Sequence, residues 1–522
     1  MIGNWDFDIW IFKFLPSKVF SAATIGLNSE IVEVEVDVLG QGLHNFTIVG
    51  LPDTSIKESR DRVSSAVKNS GFKPIHRCGR ITVNLAPADL PKLTPIYDLP
   101  MALGFLLATG QVDFNFKDKL FIGELALDGK VRPVHGVLPI TLLARDEKIK
   151  EIYVPTANAS EASVVKDIDV IPVDSLYFLV AHLTGQQNIP LHPQIKIDSL
   201  VQKSEYEMDM SHIRGQEHAK RALEIAAAGG HNVLFNGPPG SGKTLLAKTM
   251  PTILPKMTLE EILEITKIFS ISGKLPKGDA LITTRPFRSP HHSASSVSLV
   301  GGGTFPKPGE ISLSHRGVLF LDEFAEFTRP VLESLRQPLE DGTITVSRAK
   351  GSLEFPARFI LVAAMNPCPC GNATDPERIC SCTPAQIVKY QRKISGPIMD
   401  RIDLHVEVPR MKFEKLESEE VGEKSADIRE RVEKARKIQE ERFKSLGIIT
   451  NSEMSSNQIK KFCKLDEASI NLLRNAVSSM RLSARAYYRI IKISRTIADL
   501  AEMENINSGH LAEALQYRFK TD

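Results

Sequence analysis

The stretch from Asn232 to Thr244, NVLFNGPPGSGKT, constrains this chain more than any other part of its sequence. Residues that favour a strand run into a loop of glycine and proline, and the loop ends at Lys243-Thr244. A glycine-rich loop exposes backbone N–H groups, and a helix beginning at its end adds a partial positive charge, so together they bind phosphate oxygens. The spacing from Gly237 to Gly242-Lys243-Thr244 matches the P-loop pattern.

A P-loop implies that the chain binds ATP with Mg²⁺. We expect Lys243 to neutralise the β- and γ-phosphates and the Thr244 hydroxyl to ligate Mg²⁺. A glycine-rich turn without a nucleotide is the alternative, but the preceding strand and the following helix favour the P-loop. The residues predicted to contact the nucleotide or its metal ion are Gly237, Pro238, Pro239, Gly240, Ser241, Gly242, Lys243, Thr244 and, from a later strand, Asp322.

Two acids end a second apolar segment, GVLFLDE at 317–323. We expect Asp322 to hold the water shell of Mg²⁺ and Glu323 to orient and polarise the attacking water, because phosphoryl transfer depends on positioning and charge stabilisation. Two acids at a strand end also occur by chance. Their position after a P-loop favours the catalytic interpretation.

Two further polar residues are candidates for the same reaction. The segment FILVAAMNP ends at Asn366, whose amide suits a hydrogen bond to the γ-phosphate or to the water, although a simple turn former would look the same. Arg401, in GPIMDRID, follows a predicted helix. An arginine donated across a subunit boundary accelerates phosphoryl transfer, whereas an arginine at a helix end is more often solvated or ion-paired.

The length of 522 residues suits about three or four domains. A hydrophobic fraction of 42% and a charged fraction of 25% are typical of a soluble globular protein. The net charge of +2 neither requires nor excludes nucleic acid. The sequence has no apolar run long enough to span a membrane, and its six cysteines are too few for a disulfide scaffold, so we expect a cytoplasmic protein.

The sequence divides into five segments by pattern. These are an extension at 1–16, an N-terminal domain at 17–185, a polar linker at 186–210, an ATPase core at 211–410 and a C-terminal helical domain at 411–522. Alternating apolar residues in EIVEVEVDV, at 30–38, predict a strand in the N-terminal domain. In the core, short apolar strands at 233–236, 317–321 and 358–364 alternate with helices, which predicts an α/β fold with a parallel sheet.

Five motifs occur in an order that resembles the ComM/YifB-type, magnesium-chelatase-like AAA+ ATPases. They are GPPGSGKT, FRSPHHSASSVSLVGGGTFPKPGEISLSHRGVLFLDE, AAMNPCPCG, SGPIMDRIDLHVEVP and LSARAYYRIIKISRTIADL, and the resemblance covers about residues 17–515. The resemblance implies a homohexameric ring with ATP bound between subunits. It also implies Arg401 as an arginine finger acting in trans and Arg485 as a second sensor that reaches the γ-phosphate from the helical lid.

The resemblance implies a DNA motor that hydrolyses ATP to drive branch migration, extending heteroduplex in homologous recombination during natural transformation. Its partners would be branched or single-stranded DNA and further copies of the chain, with no membrane. A magnesium-chelatase ATPase subunit and a protein-remodelling AAA+ ATPase are the alternatives. DNA-stimulated ATPase activity with a steep salt dependence would favour the motor.

The N-terminal domain is similar to the Lon protease domain, an α+β fold of the ribosomal S5 domain 2 type. A Lon-type peptidase needs a serine nucleophile activated by a lysine. The resemblance places Ile96 at the serine position and Leu138 at the lysine position, so we expect a Lon-like domain without peptidase chemistry. The chain also has Leu93-Thr94 where the family pattern usually carries an acid and a glycine.

Four cysteines, Cys368, Cys370, Cys380 and Cys382, form two C-x-C pairs separated by nine residues. Four thiolates close together in a reducing cell suit a tetrahedral structural Zn²⁺ that would fix the loop after Asn366. Reduced unligated cysteines or a redox pair are the alternatives, since zinc sites more often use C-x₂-C spacing.

Two other elements of the core carry candidate contacts. The sequence EDGTITVSRAKG, at 340–351, predicts a β-hairpin with a turn at Asp341-Gly342, and its Arg348 and Lys350 could contact DNA phosphates. A solvated surface hairpin is an equal alternative. The adjacent pair His291-His292 is a poor metal site, because neighbouring side chains rarely converge on one ion, so we expect a role for it in the loop.

Overall fold

The computed structural model describes residues 16–39, 43–51, 53–92, 94–195, 206–276, 278–303, 306–348, 351–411, 422–444, 446–480 and 482–518. The described residues group into two compact units, one within 1–200 and 266–282 and the other within 201–265 and 283–522. Several parts of the sequence-based predictions lie outside the described residues: 1–15 of the extension, 196–205 of the linker, Leu93 and Lys350. Among the described helices, none is both long and apolar enough to cross a membrane.

The N-terminal unit combines strands and helices. Its strands are β1 Ser17–Ile25, β2 Asn28–Leu39, β3 Asn45–Val49, β4 Arg80–Ala86, β5 Lys119–Phe121, β6 Glu124–Leu125, β7 Val131–Arg132, β8 Glu151–Pro155 and β9 Asp169–Val173. Its helices are α1 Thr54–Asn69, α2 Asp98–Ala108, α3 Val137–Asp146, α4 Ala159–Ala162 and α5 Leu176–Leu183. Seven strands form one mixed sheet in the order β3-β4-β2-β1-β5-β8-β9, and β6 pairs with β7.

Strand β2 shows why this sheet has one buried face. Its valines, Val32, Val34, Val36 and Val38, are at most 2% exposed, and the residues between them lie partly in solvent. Successive side chains of a strand point to opposite faces, so the alternation in the sequence confirms the strand predicted at 30–38. The helix α2 packs on the same core and is buried along most of its length.

The second unit contains the P-loop. Its strands are β10 Val233–Asn236, β11 Phe287–Arg288, β12 Gly301–Gly302, β13 Lys307–Pro308, β14 Val318–Leu321, β15 Thr343–Arg348, β16 Gly351–Pro356, β17 Ile360–Met365 and β18 Leu404–Glu407. Five strands form a sheet in the order β11-β14-β17-β10-β18, and every neighbouring pair in it is parallel. The three core strands predicted from sequence are therefore confirmed, as is the parallel sheet.

Helices surround the strands in sequence and dominate the C-terminal region. They are α6 Glu217–Gly229, α7 Lys243–Ile253, α8 Leu259–Ser272, α9 Ser296–Val300, α10 Glu310–Leu313, α11 Arg329–Glu333, α12 Arg336–Asp341, α13 Pro384–Gln391, α14 Gly396–Met399, α15 Ser425–Phe443, α16 Ser456–Phe462, α17 Glu467–Ser479, α18 Ala484–Leu500 and α19 Ser508–Gln516. Residues of α18, including Ile490 and Ile493, share one hydrophobic core with Val233 and Phe235 of the sheet. The predicted helical C-terminal region is confirmed.

The segment 266–282, which the sequence places inside the ATPase core, groups with the N-terminal unit. The Ser270 hydroxyl donates a hydrogen bond of 2.5 Å to the buried carboxylate of Glu161, and the Gly136 N–H donates to the Ser270 carbonyl at 3.3 Å. Burial raises the pKa of Glu161, and the hydrogen bonds that its carboxylate accepts lower it, which partly offsets the loss of water. Buried polar contacts therefore fix this segment.

The β-hairpin predicted at 340–351 exists, but its position differs. Strand β15 pairs antiparallel with β16, so the hairpin extends to Pro356. The predicted turn at Asp341-Gly342 is wrong, because these residues end α12. Gly342 adopts a left-handed φ of 68° and its N–H donates to the Pro338 carbonyl, which is a common way for a helix to stop. Arg348 is the last residue of β15.

Candidate nucleotide site

The residues predicted to bind the nucleotide and activate water, apart from the two arginines, gather at one edge of the five-stranded sheet. Because neighbouring strands are parallel, the carboxyl ends of β10, β14 and β17 meet at the same edge, where open α/β sheets bind their ligands. We call it the P-loop edge, and its polar side chains are Lys243, Thr244, Asp322, Glu323 and Asn366. The structure thus brings together the residues that three separate motifs contribute.

The backbone of the P-loop fits a phosphate group. Gly240 and Gly242 adopt left-handed φ values of 78° and 92°, which glycine reaches without a steric cost. Helix α7 begins at Lys243, so its first N–H groups have no partner within the helix. Among the described residues, the buried Ser241 hydroxyl also has no hydrogen-bond partner. The loop therefore offers several unsatisfied donors to an anion.

The Lys243 ammonium folds back onto its own loop. It donates to the carbonyls of Gly237 at 2.6 Å and Pro238 at 2.8 Å, and it lies 3.4 Å from the Asn366 amide oxygen. Burial lowers the pKa of Lys243 to about 8, against the opposing charge of Asp322. Since its direct partners are neutral oxygens, the charged phosphate oxygens of a nucleotide would be stronger acceptors.

Thr244 and Asp322 form the oxygen pair expected of a magnesium site. The Thr244 hydroxyl donates to Asp322 Oδ2 at 2.8 Å, and Asp322 Oδ1 accepts the Glu323 N–H at 2.9 Å. Mg²⁺ prefers oxygen ligands and is usually bound by one or two carboxylates together with substrate phosphates. Thr244 and Asp322 would hold the ion, which when bound supplies positive charge against the phosphates.

Glu323 turns out of the sheet directly after β14. Its backbone is left-handed, with φ 50° and ψ 46°, and its side chain is half exposed. His292 Nδ1 lies 2.8 Å from Glu323 Oε2. The structure therefore places one of the paired histidines against the predicted catalytic glutamate.

The two predicted arginines lie elsewhere, in a groove of about 1260 Å³ that we call the arginine groove. Its wall includes Asn232, Gly317 and Phe359, which directly precede β10, β14 and β17. The groove therefore follows the amino ends of the strands whose carboxyl ends form the P-loop edge. Arg401, Arg485 and Arg489 all line it.

Hydrogen bonds fix the floor of the arginine groove. Arg401 donates to the Pro397 carbonyl at 2.6 Å and forms an ion pair with Glu340. Arg489 pairs with Asp403 at 3.4 Å, and the second oxygen of Asp403 accepts the N–H of Asn232 at 3.0 Å. These contacts connect Arg489 of α18 to the start of β10 through Asp403, and Arg401 to α12 through Glu340.

The length of β10 separates the two sites. Its four residues, at about 3.3 Å each, put about 13 Å between the groove and the P-loop. The structure therefore does not bring Arg401 or Arg485 to the nucleotide site of the same chain.

The four cysteines of the C-x-C pairs converge although nine residues separate the pairs. Their sulfur atoms lie within 4.8 Å of one another, and Cys368 Sγ is 3.4 Å from Cys370 Sγ and 3.7 Å from Cys380 Sγ. Four sulfurs at about 2.3 Å from a tetrahedral zinc would lie about 3.8 Å apart. The cluster therefore has the dimensions of a zinc site.

The cysteine loop also packs against the P-loop. A Cβ atom at Gly371 would come within 2.7 Å of Pro239 Cδ and 3.9 Å of the Asn366 side chain. Gly371 has a left-handed φ of 83°, and its N–H donates to the Cys368 carbonyl at 3.0 Å. Close approach here requires glycine, and it places the cysteine cluster beside the nucleotide site.

Matches to three family models and to one relative identify the family. The sequence matches the family described as magnesium chelatase, subunit ChlI, over residues 209–416, a second ChlI family over 33–158 and the ChlI C-terminal family over 422–518. It is 48% identical over 504 residues to the competence protein ComM of Haemophilus influenzae, covering 96% of this chain and 97% of that protein. The chain belongs to the ComM/YifB-type, magnesium-chelatase-like AAA+ ATPases.

Other members and relatives agree with this placement. The YifB protein of Escherichia coli is 42% identical over 507 residues, which cover 96% of this chain and 97% of YifB. The 38 kDa magnesium-chelatase subunit of Rhodobacter capsulatus is 28% identical over 176 residues, which cover 30% of this chain and 49% of that subunit. Membership of the ComM/YifB-type family implies ATP hydrolysis with Mg²⁺.

Sequence reasoning missed contacts that the ComM/YifB-type fold creates. It considered His292 only as a loop residue or a weak metal ligand, and it gave no role to Arg489, Asp403 or Gly371. His292 lies four residues after β11, a strand of two residues that has no periodicity to detect. In the sequence, Gly371 directly follows a cysteine pair, and a glycine at this point could have indicated that the loop approaches another backbone segment closely.

Proposed function

We propose that this chain is an ATP-driven DNA motor that promotes branch migration and heteroduplex extension in homologous recombination during natural transformation, and that it works in the cytoplasm. Similarity to a competence protein along almost the whole chain carries this proposal. The P-loop edge supports it, because a motor needs an assembled site for ATP hydrolysis. Arg348, at the end of β15, and Lys350 are the proposed contacts to DNA phosphates.

At the P-loop edge, each residue takes one role in hydrolysis. Lys243 and the loop N–H groups bind the phosphates, and Thr244 with Asp322 holds Mg²⁺. Glu323 orients the attacking water and accepts its proton, while Asn366 fixes the water or the γ-phosphate. The polar atoms that the three parallel strands present together support these roles.

We propose that the active form is a homohexameric ring in which both arginines act on a neighbour's nucleotide. Arg401 and Arg485 line the arginine groove, at the opposite end of β10 from their own P-loop. An arginine must approach the γ-phosphate to stabilise its charge in the transition state. A neighbouring subunit that presents its P-loop edge to the groove would satisfy that requirement for both residues.

We propose that Cys368, Cys370, Cys380 and Cys382 hold a structural Zn²⁺. The convergence of four sulfurs supports this ligand set, and thiolates are preferred ligands of zinc. Through Gly371, the closed loop would support Pro239 of the P-loop. The zinc would therefore stabilise the nucleotide site without touching the nucleotide.

We propose that the N-terminal unit has a Lon-like fold that does not cleave peptides. The positions that the resemblance assigns to nucleophile and base, Ile96 and Leu138, are both buried and apolar. Neither side chain can attack a carbonyl or carry a proton. We expect this unit to guide DNA to the motor.

A magnesium-chelatase ATPase subunit is a second candidate, because the ChlI families match all three regions of the chain. Against it, the similarity to the Rhodobacter capsulatus subunit covers only 30% of this chain. Such a subunit would require a chelatase partner to stimulate its ATPase activity.

The deciding experiment measures migration of a labelled three-strand DNA junction, with ATP hydrolysis followed in parallel. Wild type should move the junction, and Glu323→Gln should bind ATP but neither hydrolyse it nor move the junction. Glu326→Gln makes the same chemical change three residues away, where the side chain pairs with Lys393 at 2.8 Å, and should behave as wild type.

The outcomes separate the candidates. DNA-stimulated hydrolysis that weakens steeply with salt supports the motor. Hydrolysis that ignores DNA, without migration, overturns it and directs attention to a chelatase partner or a protein substrate.

A further inference from the structure

Asn232 joins the start of the P-loop strand to the backbone of Arg401. It lies directly before β10, and its side-chain N–H donates to the Arg401 carbonyl at 3.1 Å. We propose that Asn232 is a positioning residue that fixes the backbone of Arg401, so that the guanidinium reaches the nucleotide of a neighbouring subunit from a fixed point. This role rests on the proposed action of Arg401 in trans.

The side-chain amide of Asn232 bridges the two strands that flank β10. Its oxygen accepts the N–H of Leu361, in β17, at 2.9 Å, while its nitrogen donates to Arg401, in the segment before β18. Strand β10 lies between β17 and β18 in the sheet. An amide carries both an acceptor and a donor, and here each has a partner on a different side of the central strand. The side chain therefore holds the Arg401 backbone to the sheet itself.

The backbone of Asn232 strengthens the same connection. Its N–H donates to Asp403 Oδ2 at 3.0 Å, and its carbonyl accepts the N–H groups of Asp403 at 3.0 Å and Leu404 at 2.9 Å. Burial by itself raises the pKa of Asp403, but hydrogen bonding to His231 and the charge of Arg489 hold that pKa below its usual range. Asp403 therefore stays ionised, and an ionised carboxylate is a strong acceptor for the Asn232 N–H.

Asp403 also connects this anchor to the helix that carries Arg485. Arg489 of α18 pairs with Asp403 at 3.4 Å and donates to the Ile402 carbonyl at 3.1 Å. Arg485 lies about one helical turn before Arg489 on the same helix. The two residues that follow Arg401 are therefore fixed to the helix of the second arginine.

The side chain of Arg401 must change partners to act in trans. Its guanidinium forms an ion pair with Glu340 and donates to the Pro397 carbonyl at 2.6 Å. Within the described part of the chain, its buried Nε atom has no hydrogen-bond partner. To reach a neighbour's γ-phosphate, the guanidinium must leave these acceptors by rotation about the side-chain bonds. An error of about 1 Å in placement can lower a rate about a hundredfold, so the backbone from which the side chain extends must be fixed.

Two substitutions remove the contact in different ways. Asn232→Ala removes both side-chain hydrogen bonds. Asn232→Asp keeps an oxygen for the Leu361 N–H, but its carboxylate has no hydrogen to donate to the Arg401 carbonyl. Both variants should lower kcat for ATP about tenfold to a hundredfold and leave directly measured ATP affinity within about twofold, because their own P-loop edge is intact. Asn475→Ala, at an exposed position of α17, is the matched control and should behave as wild type.

Mixing subunits tells which nucleotide site Asn232 serves. An Asn232 variant keeps an intact P-loop edge but presents a misplaced Arg401, so an equimolar mixture with Lys243→Ala should restore ATP hydrolysis. If assembly in a ring is random, about a quarter of the sites in that mixture combine two intact halves. A mixture with Arg401→Ala should not restore hydrolysis, since every arginine groove in it is defective. A mixture of Lys243→Ala with Arg401→Ala is the reference that tests the trans role itself.

Specific results would overturn the role of Asn232. Restoration with Arg401→Ala in place of Lys243→Ala would show that Asn232 serves its own P-loop. Restoration in neither mixture would indicate a general defect of the sheet, and an unchanged kcat in both Asn232 variants would show that the contact has no effect on hydrolysis.

Two controls complete the test. Circular dichroism checks folding, and the Asp variant decides if the Ala variant does not fold, whereas unfolding of both would reduce Asn232 to a structural residue. An inactive reference mixture would refute the trans role of Arg401, and the role of Asn232 with it. An active reference beside failed Asn232 mixtures would refute the role of Asn232 alone.

Discussion

The two ends of the five-stranded sheet present different polar groups. The P-loop edge, at the carboxyl ends of the strands, holds Lys243 together with the side-chain oxygens of Thr244, Asp322 and Asn366. The arginine groove, at the amino ends, holds Arg401 and Arg485. Parallel strands keep the two ends apart by a strand length. We propose that such a subunit is complete only when another subunit supplies the missing half.

The largest effect should come from inactivating the P-loop edge in one variant and the arginine groove in another. Lys243→Ala and Arg401→Ala should each abolish hydrolysis, the latter by about 10³-fold, because an arginine finger contributes on that order. Mixing the two variants should restore activity, since an intact P-loop edge then meets an intact groove. If the two variants assemble at random in a ring, about a quarter of the sites combine an intact P-loop edge with an intact arginine groove.

The mixing result is checked by steady-state ATPase assays at fixed total protein. Arg401→Ala alone should still bind ATP, because its own P-loop edge is intact. A mixture as inactive as its components would mean that each subunit completes its own site. That outcome would show that the distance between the two ends does not require a second subunit for hydrolysis.

A smaller effect should be a pH dependence of ATP affinity at the P-loop edge. Burial lowers the pKa of Lys243 to about 8, and bound phosphates favour the charged lysine, so its pKa is higher in the complex. Below pH 8 both states carry the charge and ATP affinity should not vary. Above pH 8 the free chain loses the proton and binding must take one up, so affinity should fall by up to about tenfold per pH unit.

The pH effect is measured as the dissociation constant of a fluorescent ATP analogue from pH 7 to 9. Proton uptake is measured by calorimetry in two buffers of different ionisation enthalpy. Circular dichroism across the range controls for unfolding. An ATP affinity that stays constant up to pH 9 would contradict the prediction that the buried Lys243 loses its proton above about pH 8 in the free chain.

The smallest effect should come from the cysteine cluster, which supports the P-loop edge from outside. Cys380→Ser with Cys382→Ser should abolish bound zinc, lower the melting temperature and weaken ATP binding a few-fold through the contact of Gly371 with Pro239. Cys78→Ser, at a cysteine outside the cluster, is the matched control. Zinc per chain is measured by elemental analysis, and an undiminished zinc content would refute the ligand set.

Local patterns in the sequence were enough to predict the P-loop edge. Each of its motifs sits at the end of an apolar run, and a parallel sheet brings such ends together whatever the loops between them do. The strands of the core were predicted from their apolar runs, and the helical C-terminal region was predicted from its helix-forming residues. The roles of these residues stay predictions until the variants above are measured.

Other features depended on contacts that no local pattern encodes. The turn expected at Asp341-Gly342 is the end of α12, because a glycine after an acid serves a helix stop as well as a hairpin. Residues 266–282 group with the N-terminal unit through Ser270 and Glu161, which lie far apart in the sequence.

By itself, the sequence determined which chemical groups stand at the ends of which strands: a lysine and threonine after one, two acids after the next, an amide after the third. Only the tertiary structure decided which groups meet. It put Arg485 at the amino ends, across the sheet from Lys243, and it set His292 Nδ1 2.8 Å from Glu323 Oε2. Strand direction and register are set by pairing between segments that are distant in the sequence, so no local sequence pattern predicts them.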